Sequence, residues 1–188
     1  MTHRPRLGRR PRFGRRAVAA LEFLLVAPFF VLLTFGMAEF AAAVRVQLGV
    51  NQAAWAVADL IAQQTDVTTA QLNDFYKAGQ DCFTFNFGTL SISATSVTYS
   101  AGQQTGSVAW TASSVSGSYA AAPANVTTIS SGLGAATGGT TIGGDSTIVV
   151  QTSSTFNVPV SFGPIGKSYT LTATAFARPR LSYVVNLN

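Results

Sequence analysis

Residues 17–44 read AVAALEFLLVAPFFVLLTFGMAEFAAAV, an almost unbroken apolar run. A helix needs about 20 mostly apolar residues to cross the hydrocarbon core of a bilayer, at a rise of ~1.5 Å per residue, and this run is long enough. Its centre, from Phe23 to Ala38, contains no charged residue and is too apolar and aromatic for one face of a small soluble domain. We therefore expect one transmembrane helix over residues 17–44.

Two carboxylates, Glu22 and Glu39, bracket the uncharged centre of this run. An ionised carboxylate at the bilayer centre costs on the order of 2.5–3.5 kcal/mol, so such a residue usually has a partner or lies at the interface. Glu39, near the outer end, fits the interface. Glu22 either reaches back to lipid headgroups, Arg15 or Arg16, or has a function of its own, and both interpretations stay open.

The distribution of positive charge predicts the direction of the span. The formal net charge is +5, but the first sixteen residues hold seven of the twelve Lys and Arg and no acid, so the remainder sums to −2. An excess of Lys and Arg marks the cytoplasmic side of a membrane helix. We expect residues 1–16 to be a basic cytoplasmic tail or leader and the remainder to be exported. The topology residues are Arg9, Arg10, Arg12, Arg15 and Arg16.

An arginine-rich tail is also compatible with nucleic-acid binding. Directly before a membrane span, however, it is explained more simply as a topology signal and an electrostatic contact with anionic lipid. Membrane lipid is therefore the predicted partner of this tail, and nucleic acid is not.

Residues 45–64, RVQLGVNQAAWAVADLIAQQ, contain no proline and repeat apolar residues at helical spacing. They predict that the membrane helix continues as an amphipathic stalk. Such a helix buries its apolar stripe either on its own domain or on a neighbouring copy, and periodicity does not decide between them.

A short second helix is predicted directly after the stalk. Thr68 and Gln71 have the spacing of a capping box, in which each side chain binds the backbone N–H of the other residue. The helix is expected from Thr69 to Ala78, with Gly79 as its stop. Its expected buried side is formed by Leu72, Phe75 and Tyr76.

The apolar period changes to strict alternation from Phe83 onward, which is typical of strands exposed on one face. We predict an antiparallel sheet within an exported, mainly β domain over residues 65–188, interrupted by a flexible Gly-rich loop at residues 132–144. The predicted fold class is α+β and pilin-like, with a long N-terminal helix packed on a small sheet. The segments that predict strands are FTFNF, LSISATSVTY, SVAWTASSV, STIVVQTSSTFNVPV and SYTLTATAFARPRL.

Catalytic residue patterns are missing from the exported part of the sequence. The one histidine, His3, lies in the basic tail, which excludes a His-based triad or a His-ligated zinc site in the exported domain. The one cysteine, Cys82, permits no internal disulfide, which leaves a buried thiol or an intermolecular bridge, and its neighbours Phe83 and Phe85 favour burial. We therefore predict a protein that is not an enzyme, with no catalytic or metal site and no cofactor.

The N-terminal segment RRAVAALEFLLVAPFFVLLTFGMAEFAAAVRVQ resembles that of TadE-like proteins, minor pseudopilins of the tight-adherence branch of type IV pilus machinery. The similar features are Arg15 and Arg16, the run from Ala19 to Phe23, Pro28, and the ending from Phe35 to Phe40. The C-terminal LTATA and ARPR segments are also similar to the way many such chains close.

The resemblance implies a role in pilus assembly, with other pilin or pseudopilin subunits and the assembly machinery as partners. It also implies cleavage by a prepilin peptidase, a membrane aspartyl protease, between Ala17 and Val18, five residues before Glu22. The family usually has glycine before the cut, where this chain has Ala17. The implied assembly residues in the membrane are Glu22, Phe23, Pro28 and Glu39, and the implied location is the inner membrane of a bacterium, with the C-terminal domain periplasmic or extracellular.

Two other classes of protein remain open. One is a secreted or membrane-anchored β-rich surface or adhesion protein, whose Sec-type signal would be cut near Ala41–Ala43 or left uncut. Against cleavage, the apolar run exceeds a signal-peptide core of about 7–15 residues and contains Glu22. The other is a hydrolase of an unfamiliar kind on a single-span anchor.

Overall fold

The computed structural model of the chain describes residues 14–83, 90–99, 106–114, 146–157 and 168–188. Within these residues, two helices and six strands follow one another. The predicted α+β class is confirmed, because a long apolar N-terminal helix is followed by a small antiparallel sheet. In chain order the elements are α1 (Arg15–Ala62), β1 (Asp66–Val67), α2 (Thr69–Cys82), β2 (Leu90–Tyr99), β3 (Gly106–Ser113), β4 (Ser146–Asn157), β5 (Ser168–Ala177) and β6 (Asn186–Leu187).

The chain divides into two compact units, Met1–Phe40 and Ala41–Asn188. Helix α1 runs without interruption for 48 residues, as the apolar run and the proline-free stalk predict. Pro28 is accommodated inside it. The proposed division of the chain at residues 16, 44 and 64 into tail, span, stalk and β domain stays a prediction.

A four-stranded antiparallel sheet in the order β3-β2-β4-β5 forms the second unit's framework. Ala94 on β2 lies opposite Ala112 on β3 and Val150 on β4, and Val150 in turn lies opposite Ala175 on β5. The β2–β3 register shifts between Ser96 and Val97, where a bulge changes which residues face each side. A separate two-stranded parallel sheet joins β1 to β6.

The C-terminal part of α1 packs on one face of this sheet. Its buried residues recur every three or four positions, so they form a single stripe, and each fully buried aliphatic side chain contributes ~1.5–3 kcal/mol. The stripe comprises Val46, Val50, Ala53, Ala54, Val57, Ala58 and Ile61. It joins one core cluster with Ile92, Ala94, Ile148, Val150 and Phe156 of the sheet. The stalk therefore buries its apolar stripe on its own domain.

Hydrogen bonds reinforce the packing of α1 on the sheet. The buried Thr152 hydroxyl on β4 donates to the Val50 carbonyl at 3.0 Å. The Gln47 side-chain amide donates to the Thr172 carbonyl on β5, also at 3.0 Å. A smaller cluster lies on the opposite face of the sheet, where Val97, Tyr99 and Val149 are buried with Phe176 packed against them.

Helix α2 begins as predicted and ends later than predicted. The capping box of Thr68 and Gln71 is present, and Leu72 and Tyr76 are buried. Gly79 does not stop the helix, which continues to Cys82. Glycine is needed at position 79 for packing, because a Cβ there would lie 2.6 Å from Val57 Cγ2 and 3.0 Å from Ile92 Cδ1. The glycine permits close approach of α2 to the core.

The predicted burial of Cys82 is wrong. The thiol belongs to the last residue of α2 and is exposed, whereas the next residue, Phe83, turns into the core. Phe83 continues the buried stripe of Leu72, Tyr76 and Gly79 at a spacing of three or four residues, and Cys82 lies off that stripe.

Four predicted strands are confirmed as β2, β3, β4 and β5. The FTFNF segment lies almost entirely outside the described residues. The same is true of the Gly-rich loop at residues 132–144.

Candidate functional site in the N-terminal helix

The N-terminal half of α1 presents apolar side chains outward on all sides. Phe23 is 74% exposed and Leu25 is 80% exposed. Among the described residues, α1 is the one helix that is long and apolar enough to cross a membrane, and none of its most apolar window is buried. Large side chains left open to this extent require a partner that is not water, namely lipid or another apolar helix.

The two carboxylates of the run lie far apart on the helix. Glu22 and Glu39 are separated by seventeen residues, which corresponds to about 26 Å along the axis. Glu22 is exposed, whereas Glu39 is half-buried and its Oε1 is shielded from solvent. No hydrogen-bond partner reaches that oxygen from the part of the chain that the structure describes. The two acids therefore belong to two distinct sites, one near each end of the apolar run.

The Ala17–Val18 peptide bond, where the resemblance implies processing, lies in the first turn of α1. The Ala17 N–H donates to the Gly14 carbonyl at 2.8 Å. The N–H groups of the first helical turn have no carbonyl acceptor within the α-helix, so opening this turn breaks few hydrogen bonds. Val18 and Glu22 are four residues apart and share one face, about 6 Å apart along the axis.

Two residues in the middle of the span affect the backbone of α1. Pro28 removes the N–H that would otherwise bind the Leu24 carbonyl, and its side chain is exposed. Thr34 donates its hydroxyl to the Phe30 carbonyl at 2.8 Å. Because the hydroxyl is hydrogen-bonded within its own helix, Thr34 presents no unpaired O–H group to lipid.

The predicted topology residues lie at or before the start of α1. Arg15 and Arg16 are its first two residues. Arg9, Arg10 and Arg12 lie outside the described residues. The pairing of Glu22 with Arg15 or Arg16 therefore stays a prediction.

Over residues 14–83, 90–99, 106–114, 146–157 and 168–188 there is no group of three or more His, Cys, Asp or Glu side chains that could hold a metal ion.

Burial raises the pKa of Tyr76 to about 12, an effect partly opposed by a hydrogen bond with the Ala94 backbone. Its hydroxyl donates to the Ala112 carbonyl at 3.0 Å, so this tyrosine joins α2 to β3.

Sequence reasoning missed a cluster at the C-terminal end of α1. Arg180 forms an ion pair with Asp59, and its backbone N–H donates to the Ala62 carbonyl at 2.8 Å. The Trp110 indole N–H donates to the Val185 carbonyl at 2.8 Å, and Val185 is fully buried. The signal available in the sequence was the ARPR segment, in which Arg180 is the second arginine.

Residues 17–59 match the family described as TadE-like protein. No curated protein matches, and no solved structure matches. The matched segment lies entirely within α1 and contains Val18, Glu22, Phe23, Pro28 and Glu39. It ends at Asp59, before the sheet begins. A TadE-like segment indicates a protein associated with the Tad pilus. The resemblance noted in the sequence is thus confirmed, and the N-terminal helix of this chain is a TadE-like region.

Proposed function

We propose that this chain is a non-enzymatic, pseudopilin-like component in the assembly of a tight-adherence type IV pilus. The observation that carries the proposal is the coincidence of the TadE-like match with α1. The matched residues include the exposed apolar segment of that helix. The β domain lies outside the match, and the proposal does not depend on it.

Membrane anchoring follows from the physical character of the helix. Leaving residues such as Phe23 and Leu25 in water is unfavourable by roughly 1.5–3 kcal/mol for each large side chain. We place residues 17–44 of α1 across the inner membrane once, with the arginine-rich tail in the cytoplasm and residues from 45 onward periplasmic or extracellular.

Glu22 is proposed to act in assembly. Cleavage between Ala17 and Val18 would create an α-ammonium in or near the interface, which can pair with Glu22 of a neighbouring subunit. Because Val18 and Glu22 lie one helical turn apart, the same ammonium also reaches Glu22 of its own chain. A carboxylate that is costly alone in lipid is stabilised once it is paired, so pairing with a neighbouring subunit favours bundled helices over isolated ones, whereas pairing within one chain competes with bundling. Without cleavage, Arg15 or Arg16 is the alternative partner.

The proposed partners are membrane lipid, other pilin or pseudopilin subunits, the pilus assembly machinery and a prepilin peptidase. Phe23 and Pro28 are proposed to contribute packing surface to this assembly. The peptidase would bind the segment around Ala17 after the first turn of α1 opens.

The mature N-terminus tests the processing step. Chain purified from its own membranes is analysed by mass spectrometry, and a start at Val18 is expected. A start near Arg45 contradicts a pseudopilin and supports a secreted protein. A start at Met1 contradicts cleavage and leaves an uncut anchor.

A pair of isosteric variants tests the role of Glu22. Glu22→Gln is expected to insert normally and to reach wild-type levels, yet to reduce processing or pilus output. Asp74→Asn, which neutralises an exposed carboxylate on α2 outside the proposed assembly residues, is the matched control for a general effect of losing a charge and should leave processing and pilus output unchanged. Normal processing and normal pilus output in Glu22→Gln would remove the case for a functional Glu22.

A further inference from the structure

The C-terminal segment of the chain, residues 178–188, returns to the place where the long helix ends. It follows β5 directly and contains β6, which pairs in parallel with β1. Strand β1 lies in the short connection between α1 and α2. The last residues of the chain are therefore held beside the end of α1, although the whole sheet separates the two in sequence.

The C-terminal end of α1 takes one of its hydrogen-bond donors from this segment. The last carbonyls of a helix have no partner within the helix and need donors from elsewhere. Two carbonyls of the final turn accept from the N–H groups of Gln63 and Gln64, which follow the helix directly. The Ala62 carbonyl accepts instead from the Arg180 N–H at 2.8 Å. The cap of α1 is thus completed by a residue from the other end of the domain.

The same segment also holds the connection that follows α1. The Asn188 N–H donates to the Val67 carbonyl at 2.9 Å, next to the pairing of β6 with β1. The Asn186 side-chain amide donates to the Asp66 carboxylate at 3.2 Å. Val67 itself is fully buried in the main core. The end of the chain therefore fixes both the terminus of α1 and the first residues beyond it.

Side chains of the sheet hold the segment from the other direction. The Trp110 indole on β3 donates to the Val185 carbonyl at 2.8 Å. The Ser146 hydroxyl, at the start of β4, donates to the Tyr183 carbonyl at 2.9 Å. The segment thus gives N–H groups to α1 and β1 and receives donors from β3 and β4. It is a bridge between the helix end and the sheet.

The apolar anchor of this bridge is small. Among residues 178–188, Val185 alone is buried, while Arg180, Leu181 and Tyr183 are exposed. The stripe of α1 and the inner face of the sheet, in contrast, share one continuous core. Segments with few buried apolar contacts open at a lower free energy than the core of the same domain. We therefore expect this segment to detach while the sheet stays folded.

We propose that residues 178–188 form a latch, which opens as one unit and thereby controls whether the end of α1 is fixed to the sheet. In the closed state, the latch caps α1 and joins residues 59–67 to β3 and β4. In the open state, residues 59–67 and the latch lose these hydrogen bonds together, whereas the four-stranded sheet keeps its core. The latch lies within the second unit, so it is independent of the proposed role of the membrane segment.

Hydrogen–deuterium exchange of the full-length chain in detergent, read by mass spectrometry, tests the latch. Peptides covering residues 59–67 and 180–188 are expected to show similar protection, and less protection than those from β2 and β4. Val185→Ala removes part of the buried anchor and is expected to accelerate exchange in both segments by at least about tenfold, with β2 and β4 unchanged. Leu181→Ala, at an exposed position of the same segment, is the matched control and should change neither.

Two results of the Val185→Ala measurement would overturn the proposal. If exchange accelerates in residues 180–188 but not in residues 59–67, the segment moves without releasing the end of α1. If β2 and β4 accelerate by the same factor as the two segments, the opening is part of global unfolding and no separate latch exists.

Trp110→Phe opens the latch by a different route and decides the matter if Val185→Ala does not fold. It removes the indole donor to the Val185 carbonyl and keeps an aromatic ring on β3. Both segments are expected to lose protection together several-fold, and loss in only one of them contradicts the latch. Val97→Ala, in the separate cluster on the opposite face of the sheet, should leave the protection of both segments unchanged. Faster exchange of both segments in Val97→Ala would contradict local opening.

Discussion

The guanidinium of Arg180 pairs with the carboxylate of Asp59, which joins the C-terminal segment to the last turns of α1. The backbone N–H of the same arginine donates to the Ala62 carbonyl at the end of that helix. Lys and Arg are favourable near helix C-termini because the free carbonyls there carry partial negative charge. One residue therefore satisfies a helix end by both its backbone and its side chain.

The ion pair itself is expected to contribute little to stability. The side chains of Arg180 and Asp59 are 64% and 46% exposed, so solvent screens their attraction. Asp59→Asn should lower the free energy of unfolding by less than about 1 kcal/mol. Val185→Ala, at the buried anchor of the same segment, should lower it by about 1.5–3 kcal/mol. Thermal unfolding of the detergent-solubilised chain, with the exposed Leu181→Ala as control, measures both. A larger loss for Asp59→Asn than for Val185→Ala would contradict this ranking.

Gly79→Ala is expected to destabilise the domain although alanine favours helix formation. The added Cβ would lie 2.6 Å from Val57 Cγ2, and overpacking of this kind costs about 1–3 kcal/mol, against a helix-propensity gain of about 1 kcal/mol. Urea unfolding measures the balance. Ala78→Gly, at the exposed neighbouring position, isolates the propensity term and should cost about 1 kcal/mol. Stabilisation by Gly79→Ala would mean that α2 does not approach Val57 so closely.

Thr152→Val is expected to lower the free energy of unfolding by about 1 kcal/mol. The substitution keeps the shape of the side chain but removes the hydroxyl that donates to Val50, inside the contact between β4 and α1. The matched control is Thr170→Val on β5, where the side chain is exposed and the cost should be within about 0.5 kcal/mol. Equal costs at the two sites would argue against a structural role for the buried hydrogen bond.

The buried Tyr76 is expected to make the folded domain less stable at high pH. Its pKa is raised to about 12 in the folded chain by burial, against about 10 in an unfolded chain. The unfolded state therefore loses the phenolic proton first, and the stability present below pH 10 declines as the pH rises toward 12. The slope for one such group is about 1.4 kcal/mol per pH unit.

Unfolding measured from pH 9 to pH 12 tests this dependence. Tyr76→Phe should make the curve flatter over the upper part of that range, at the cost of the hydrogen bond to Ala112. Tyr183→Phe, where the side chain is 74% exposed, should leave the slope unchanged. An identical slope in wild type and Tyr76→Phe would contradict the assignment.

Helices and strands with a strong period were predictable from the sequence, whereas contacts between distant segments were not. The apolar run, the stalk and the four alternating segments each carry their own local signal, because side-chain facing repeats every 3.6 residues in a helix and every two in a strand. The Thr68–Gln71 capping box was recognised for the same reason, since both residues lie within one turn. The end of α2 was misplaced, because glycine is as characteristic of close packing as of helix termination.

In the candidate site, residue identities came from the sequence and their grouping came from the structure. Glu22, Pro28 and Glu39 were all identified from the apolar run. Their distribution along one helix, with about 26 Å between the two acids, follows from helical rise alone. The shielding of Glu39 Oε1 from solvent, in contrast, is visible only in the structure.

By itself, the sequence determined the apolar span, the expected direction of insertion, and a helix followed by an antiparallel sheet. Each depends on composition or on a period within a single segment. Only the tertiary structure decided that Val46, Val50, Val57 and Ile61 pack on the chain's own sheet, and that Arg180 meets Asp59. Arg180 and Asp59 lie more than a hundred positions apart in the sequence. Both sets of contacts depend on the shape and hydrogen bonding of surfaces that exist only once the chain has folded.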